Sequence, residues 1–140
     1  YPGIELWETN IDAMCMWLIK NPLDYSVLVT SNMFGDIVSD LCAQLVGGLG
    51  FAASGNYSSE YALFEPTHGS APKYAGKYKV NPIAMLLSTR LMLDFVGEKE
   101  MAADLENAIA AVIEDGKYRT YDMGGDSTTL EVARAVAARL

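Results

Sequence analysis

The chain has 140 residues, of which 51% are hydrophobic and 20% are charged. This balance is typical of one globular domain with a buried core and excludes a disordered segment. Its 18 acidic residues outnumber its 10 lysines and arginines, and the net charge of −8 disfavours binding to nucleic acid or to an anionic membrane surface. Because no uncharged apolar run could span a bilayer and the first residues lack a signal-peptide pattern, we expect a cytoplasmic protein.

The first third of the chain predicts a helix, a strand and a second helix. Residues 8–20 place apolar side chains at helical spacing. Residues 25–30 are a short β-branched run, which predicts a strand that is buried on both faces. Helical spacing returns over residues 36–46 and stops at Gly47-Gly48. This succession favours a layered α/β fold over an all-helical one.

The rest of the chain predicts one more strand and three helices. Residues 47–57 are rich in small side chains without periodicity, so we expect a loop with close backbone approaches. A strand is predicted over residues 61–64, and helices over residues 82–96 and 102–114. A capping box, Thr128-x-x-Glu131, predicts the start of the last helix. Because no repeat or low-complexity linker interrupts the pattern, we expect one compact unit.

Two carboxylates, Asp36 and Asp40, lie four residues apart within a predicted helix and therefore share one face. Their repulsion would be relieved by a cation with a preference for oxygen ligands. The single His68 and the separated Cys15 and Cys42 cannot build a zinc site, so Mg²⁺ or Mn²⁺ is the metal that remains. On spacing alone, a solvated helix face is the alternative. Both cysteines lie in apolar helical patterns, which predicts buried thiols and no disulfide.

The second suggestive segment is residues 65–77, which combine prolines, glycines, the only histidine and two lysines. Backbone amides of small residues can approach a phosphate, Lys73 and Lys77 can neutralise it, and Tyr74 can stack or donate a hydrogen bond. An anionic ligand therefore fits the segment. A rigid surface turn is the alternative, and His68 is expected to be a structural residue because nothing marks it as a base.

Four motifs in order and spacing resemble the isocitrate and isopropylmalate dehydrogenases. They are residues 31–40 (SNMFGDIVSD), 47–50 (GGLG), 65–72 (EPTHGSAP) and 81–82 (NP). The resemblance implies that the chain is the carboxyl-terminal portion of a β-decarboxylating dehydrogenase, with a layered sheet flanked by helices. It also makes residues 1–24 a candidate part of the small, dimer-forming domain.

The resemblance also implies roles for individual residues. Asp36 and Asp40 match two metal-binding aspartates, and Asp12 matches a third that the other subunit of a dimer contributes. The general-base lysine and the proton-donating tyrosine are expected upstream of the chain, so no catalytic residue is predicted within it. The positions that match the cofactor site are Glu65, His68, Gly69, Ser70, Ala71, Asn81 and Asp122.

The choice of nucleotide is predicted from a few of these positions. Lys73-Tyr74 matches the pair found in NADP-using isocitrate dehydrogenases, where the positive charge meets the 2′-phosphate, and Tyr121 matches a further phosphate-side tyrosine. The arginine expected four residues after that tyrosine is Gly125, which weakens this match. The resemblance therefore favours NADP, with NAD as the alternative.

Together these matches predict a metal-dependent oxidative decarboxylation of a 2-hydroxy acid, with isocitrate and NADP ranked first. The alternatives are an isopropylmalate or homoisocitrate dehydrogenase that uses NAD, a non-catalytic regulatory subunit, and a structural dimerisation module. We expect a homodimer or larger homo-oligomer without nucleic-acid or membrane partners. The predicted helices 36–46 and 82–96 are apolar enough to lie at a two-fold interface.

Overall fold

The computed structural model describes all 140 residues, Tyr1 to Leu140. The chain forms two compact units, Tyr1–Leu45 and Val46–Leu140, so the prediction of a single unit is wrong. The physical reason for this division is that the first unit contributes no buried residue to the main hydrophobic core, which belongs entirely to the second unit. The mixture of helices and strands confirms the predicted α/β class.

The first unit consists of two helices, α1 (Ile11–Lys20) and α2 (Asn32–Leu45), which pack against each other. The predicted strand over residues 25–30 is absent. A strand needs a hydrogen-bonded neighbouring strand, and residues 25–30 have none. Val27 and Val29, which the prediction placed in a buried strand, are 81% and 93% exposed. Helix α2 begins four residues earlier than predicted, where the Gly35 amide donates to the Ser31 carbonyl oxygen (2.9 Å).

The second unit begins with an antiparallel pair of strands, β1 (Ala53–Tyr57) and β2 (Ala62–Pro66). Strand β2 confirms the strand predicted over residues 61–64. The prediction of a loop for residues 47–57 is wrong in its second half, because pairing with β2 organises the small residues of β1 as a strand. Periodicity could not indicate this, since β1 carries only one large side chain, that of Tyr57.

Three helices complete the second unit: α3 (Ile83–Phe95), α4 (Lys99–Asp115) and α5 (Thr129–Ala137). All three were predicted. Helix α3 packs against α4 and both strands, and α5 packs against α4. Their buried side chains form the core and are contributed by Ile83, Leu105, Ala108, Ile109, Val112, Val132, Ala135 and Val136. Burial of each large aliphatic side chain stabilises the fold by about 1.5–3 kcal/mol.

Local signals mark the start of α5 and the end of α4. The Thr128 hydroxyl accepts from the Glu131 amide (3.3 Å) and the Glu131 carboxylate accepts from the Thr128 amide (2.7 Å), which confirms the capping box. Helix α4 ends at Asp115 and is followed by Gly116, whose φ of 66° is left-handed.

The two cysteines are free, as predicted, but Cys15 and Cys42 are half-buried and not fully buried. Both cysteines lie in the small first unit, where few side chains are available to cover them. No helix combines the length and the apolar character that a bilayer span requires.

Candidate metal and nucleotide sites

The two predicted metal ligands Asp36 and Asp40 lie on α2, one turn apart on the same face. Both are exposed, and neither forms an ion pair with a lysine or arginine. Their carboxylate oxygens therefore remain open as hard, negatively charged donors. This donor set fits Mg²⁺ or Mn²⁺ and does not fit a soft metal.

Asp12 does not join this pair within the chain. It lies in the first turn of α1 and is exposed, and its Oδ1 accepts a hydrogen bond from the Ala13 amide (2.8 Å). No three His, Cys, Asp or Glu side chains of the chain come together as a metal site. Asp36 and Asp40 thus offer at most two protein ligands, and the contribution of Asp12 from a second subunit stays a prediction.

The predicted cofactor segment follows β2 and is shaped by its backbone. Glu65 lies in β2, and the Thr67 amide donates to the Ala52 carbonyl oxygen (3.0 Å), which extends the strand pairing. His68 Nδ1 lies 2.9 Å from the Gly69 carbonyl oxygen, in keeping with a structural role. Ala71 then adopts φ 45°, a left-handed conformation that is rare for a non-glycine residue.

A 3-10 turn, Pro72–Tyr74, follows and aims an aromatic side chain at a second turn, Tyr121–Met123. The rings of Tyr74 and Tyr121 lie 5.5 Å apart, and Lys79 Nζ lies 5.8 Å from the centre of the Tyr121 ring. The neighbouring Tyr74 side chain, together with desolvation and the charge of Asp122, raises the pKa of Tyr121 above its ordinary value. The Tyr121 phenol therefore stays neutral near pH 7 and can donate a hydrogen bond.

The predicted residues Asn81 and Asp122 are in direct contact although 41 positions separate them. Asn81 Nδ2 donates to Asp122 Oδ2 (3.0 Å), while Asn81 Oδ1 accepts from the Ile83 amide at the start of α3 (3.0 Å). Sequence reasoning missed two neighbours of this pair. Thr120 is fully buried and its hydroxyl donates to Asp122 Oδ1, and Gly50 packs against both members.

The structure thus pairs Tyr74 with Tyr121 and Asn81 with Asp122, and the two pairs form one cluster because Tyr121 and Asp122 are consecutive residues. It records no hydrogen bond or ion pair from the side chains of Glu65, Ser70 or Lys73 to this cluster. Their assignment to the nucleotide site stays a prediction, as does that of His68, Gly69 and Ala71.

Gly125, which stands where an arginine was expected, has no room for a side chain. A Cβ there would collide with the Arg119 carbonyl oxygen and lie 2.5 Å from Arg119 Cβ. The Gly125 amide also donates to the Thr120 carbonyl oxygen (3.0 Å). The glycine is therefore required by the local backbone of this chain.

Comparison with known proteins gives the family. The sequence model described as isocitrate/isopropylmalate dehydrogenase matches residues 1–136. The chain belongs to the isocitrate/isopropylmalate dehydrogenase family. The resemblance seen in its motifs is thereby confirmed. It is 50% identical to an Arabidopsis thaliana protein named isocitrate dehydrogenase [NAD] catalytic subunit 5, mitochondrial, with all of this chain and 38% of that protein covered.

A second relative, from Archaeoglobus fulgidus, is named 3-isopropylmalate dehydrogenase and is 49% identical over all of this chain and 43% of its own length. The crystal structure of isocitrate dehydrogenase from Methylococcus capsulatus superposes with a TM-score of 0.94 at 45% identity, over 99% of this chain and 42% of that one. The chain spans less than half the length of these family members. Their names divide between two substrates, so family membership leaves the substrate open.

Proposed function

We propose that the full-length protein carrying this chain catalyses metal-dependent oxidative decarboxylation of isocitrate to 2-oxoglutarate, with NADP as the hydride acceptor. The observation that carries the proposal is the open carboxylate pair of Asp36 and Asp40 on α2 of a family member. A helix face with two uncompensated negative charges is unfavourable by itself and becomes favourable when a dication binds. A retained pair argues against a regulatory subunit that has lost its chemistry.

When bound, a divalent cation would stabilise the negative charge that develops on the substrate oxygen as hydride and carbon dioxide leave. In our proposal Asp36 and Asp40 hold that ion, and the Asp12 carboxylate of a second subunit completes its protein ligands. In this proposal the base lysine and the acid tyrosine are supplied by the full-length enzyme and not by this chain.

The proposal of NADP is supported by the tyrosine pair and its lysines. Tyr74 and Tyr121 are adjacent, Lys73 precedes Tyr74 in the same turn, and Lys79 reaches the Tyr121 ring. Two lysines and a neutral phenol suit a 2′-phosphate, which demands positive charge and hydrogen-bond donors. NAD is the alternative, favoured by Gly125 and by the word NAD in the name of the Arabidopsis relative.

The substrate is proposed from residues 72–77 and 79–82, which resemble isocitrate dehydrogenases more than isopropylmalate dehydrogenases. Isopropylmalate and homoisocitrate remain the alternatives, since relatives with each of these substrates in their names are nearly as similar. The groups that read the distinguishing substituent are expected outside this chain.

The first test is a matrix of activity assays on the full-length protein with Mg²⁺, following the absorbance of the reduced nicotinamide. Isocitrate, homoisocitrate and isopropylmalate are each paired with NADP and with NAD. The proposal predicts the highest kcat/KM for isocitrate with NADP. Activity with NAD alone would overturn the nucleotide assignment, and inactivity with all six pairs would favour the regulatory or structural alternatives.

The second test measures Mn²⁺ binding by calorimetry in the presence of substrate. Asp36→Asn should weaken the affinity by at least about tenfold, because one charged ligand is lost. Asp104→Asn is the matched control, since Asp104 is an exposed aspartate on α4 without hydrogen bonds or ion pairs. Equal affinities for the two variants would remove Asp36 from the metal site.

The assembly is proposed to be a homodimer with α2 and α3 at its two-fold interface. Both helices expose apolar side chains, with Ile37 on α2 and Met85 and Met92 on α3 among them. The proposed location is the cytoplasm, whereas the Arabidopsis relative carries the word mitochondrial in its name. Mass measurement in solution tests the dimer, and a monomer at high concentration would contradict it.

A further inference from the structure

A hydrogen-bonded network joins three segments of the second unit that are distant in sequence. Its members are Thr120, Asp122 and Asn81, and we call it the Thr120–Asp122–Asn81 network. Each Asp122 carboxylate oxygen accepts one hydrogen bond, Oδ1 from the Thr120 hydroxyl and Oδ2 from Asn81 Nδ2. Asn81 continues the network to the Ile83 amide and thus to the first turn of α3.

Burial separates the members into those that could touch a ligand and those that could not. Thr120 is 0% exposed and Asn81 is 6% exposed, whereas Asp122 is exposed. Thr120 therefore cannot contact a nucleotide. Any effect of its hydroxyl on nucleotide binding must pass through Asp122, the only side chain to which that hydroxyl donates.

Gly50 adds a steric requirement to the network. A Cβ at Gly50 would lie 2.6 Å from Asp122 Oδ2, 3.0 Å from Asn81 Nδ2 and 3.1 Å from Asn81 Cβ. The first of these distances is well inside van der Waals contact, so any other residue would push the Asn81–Asp122 pair apart. The GGLG loop thus packs directly against the Asn81–Asp122 pair through Gly50.

We propose that Thr120 and Gly50 are positioning residues of the nucleotide site. Thr120 holds Asp122 from beneath and Gly50 leaves room for its pairing with Asn81. Together they fix the turn that carries Tyr121 against the start of α3. This inference rests on the proposed function, because it assigns a task to residues that surround the proposed nucleotide site. Asn81 takes part in this positioning through one donor of Nδ2 and one acceptor site of Oδ1, which bind Asp122 and the Ile83 amide.

Loss of the hydrogen bond from the Thr120 hydroxyl to the Asp122 carboxylate should weaken nucleotide binding. Without the Thr120 hydroxyl, Asp122 loses one of two charge-assisted hydrogen bonds and gains rotational freedom. The turn Tyr121–Met123 must then be ordered at the moment of nucleotide binding, and that cost weakens affinity without changing the chemical step. The expected signature is a raised KM for the nucleotide at nearly constant kcat.

The experiment uses the full-length enzyme and compares Thr120→Val, which keeps the shape of the side chain and removes its hydroxyl, with Thr120→Ser, which keeps the hydroxyl. Thr120→Val should raise the nucleotide KM about fivefold with kcat within about twofold of the wild type. Thr120→Ser should restore most of the affinity. Thr89→Val is the matched control, because the Thr89 hydroxyl donates only to the Met85 carbonyl oxygen on α3 (3.0 Å).

A double-mutant cycle separates transmission through Asp122 from a general loss of stability. If Thr120 acts through Asp122, then Thr120→Val should add no further rise in nucleotide KM on top of Asp122→Ala. Additive effects of the two changes would overturn the inference. So would a Thr120→Val enzyme whose thermal midpoint falls while its nucleotide KM is unchanged, because that result describes a structural residue.

Wild-type activity distinguishes the two proposals. If the wild-type enzyme reduces the nicotinamide nucleotide and the Thr120→Val variant has the same nucleotide KM, only the positioning role is contradicted. A full-length wild-type protein that neither turns over nor binds a nicotinamide nucleotide contradicts the proposed function, and the positioning role then fails with it. Gly50→Ala provides an independent check and should also raise the nucleotide KM, since it displaces the same pair.

Discussion

Placing a side chain at Gly125 should damage the proposed nucleotide site, even when that side chain is the arginine expected from the resemblance to NADP-using isocitrate dehydrogenases. A Cβ at this position would lie 2.5 Å from Arg119 Cβ and 2.8 Å from the Arg119 carbonyl carbon. Ordinary carbon contacts are about 3.5–4.0 Å, so the backbone would have to move by about 1 Å. The movement would strain the hydrogen bond from the Gly125 amide to the Thr120 carbonyl oxygen.

The cost can be estimated from comparable overpacking. Insertion of atoms where the backbone must yield destabilises a fold by about 1–3 kcal/mol. Gly125→Ala and Gly125→Arg should share this cost, because it arises at Cβ. Gly69→Ala is the matched control for stability, since a Cβ there meets nothing within 4 Å and its φ is not left-handed.

The assay combines denaturant unfolding with steady-state kinetics of the full-length enzyme. Both Gly125 variants should unfold at lower denaturant than the wild type, and Gly125→Arg should show a higher KM for NADP in spite of its added charge. The reasoning would be refuted by a Gly125→Arg enzyme with unchanged stability and a lower KM for NADP. That result would mean that the turn yields easily and that charge decides affinity.

Three further predictions concern the stability of the second unit. Thr128→Ala should cost about 1 kcal/mol in a denaturant titration, because the N-cap of α5 is lost. The amide and hydroxyl of Thr128 hold the pKa of Glu131 below its ordinary value of 4.5. This cap therefore stabilises the fold above that pH, and its contribution disappears as pH falls through the lowered pKa. An unfolding midpoint that is insensitive to pH across this window would contradict the prediction. Thr129→Val should cost about 1–3 kcal/mol by depriving the Val80 carbonyl oxygen of a hydroxyl donor, and Thr129→Ser should recover most of that loss in the same titration. Ile83→Ala, at a side chain that is 1% exposed, should cost about 2–5 kcal/mol, and a loss below 1 kcal/mol would show that the core can collapse around the gap.

The sequence was sufficient wherever a feature depends on neighbours within one or two helical turns. The capping box of Thr128 and Glu131 and the shared face of Asp36 and Asp40 follow from spacings of three and four residues. Family membership also follows without the tertiary structure, since the motifs lie in order along the chain. These features are local, so a linear pattern contains all that determines them.

Tertiary structure decided the features that depend on partners far along the chain. Residues 25–30 have the composition of a strand but no neighbour to pair with, whereas residues 53–57 lack that composition and form a strand by pairing with β2. The contact of Asn81 with Asp122, the burial of Thr120 beneath them and the crowding at Gly125 likewise join segments that no spacing rule relates. Hydrogen-bond pairing and close packing are set by distances in space, and the fold alone brings those atoms together.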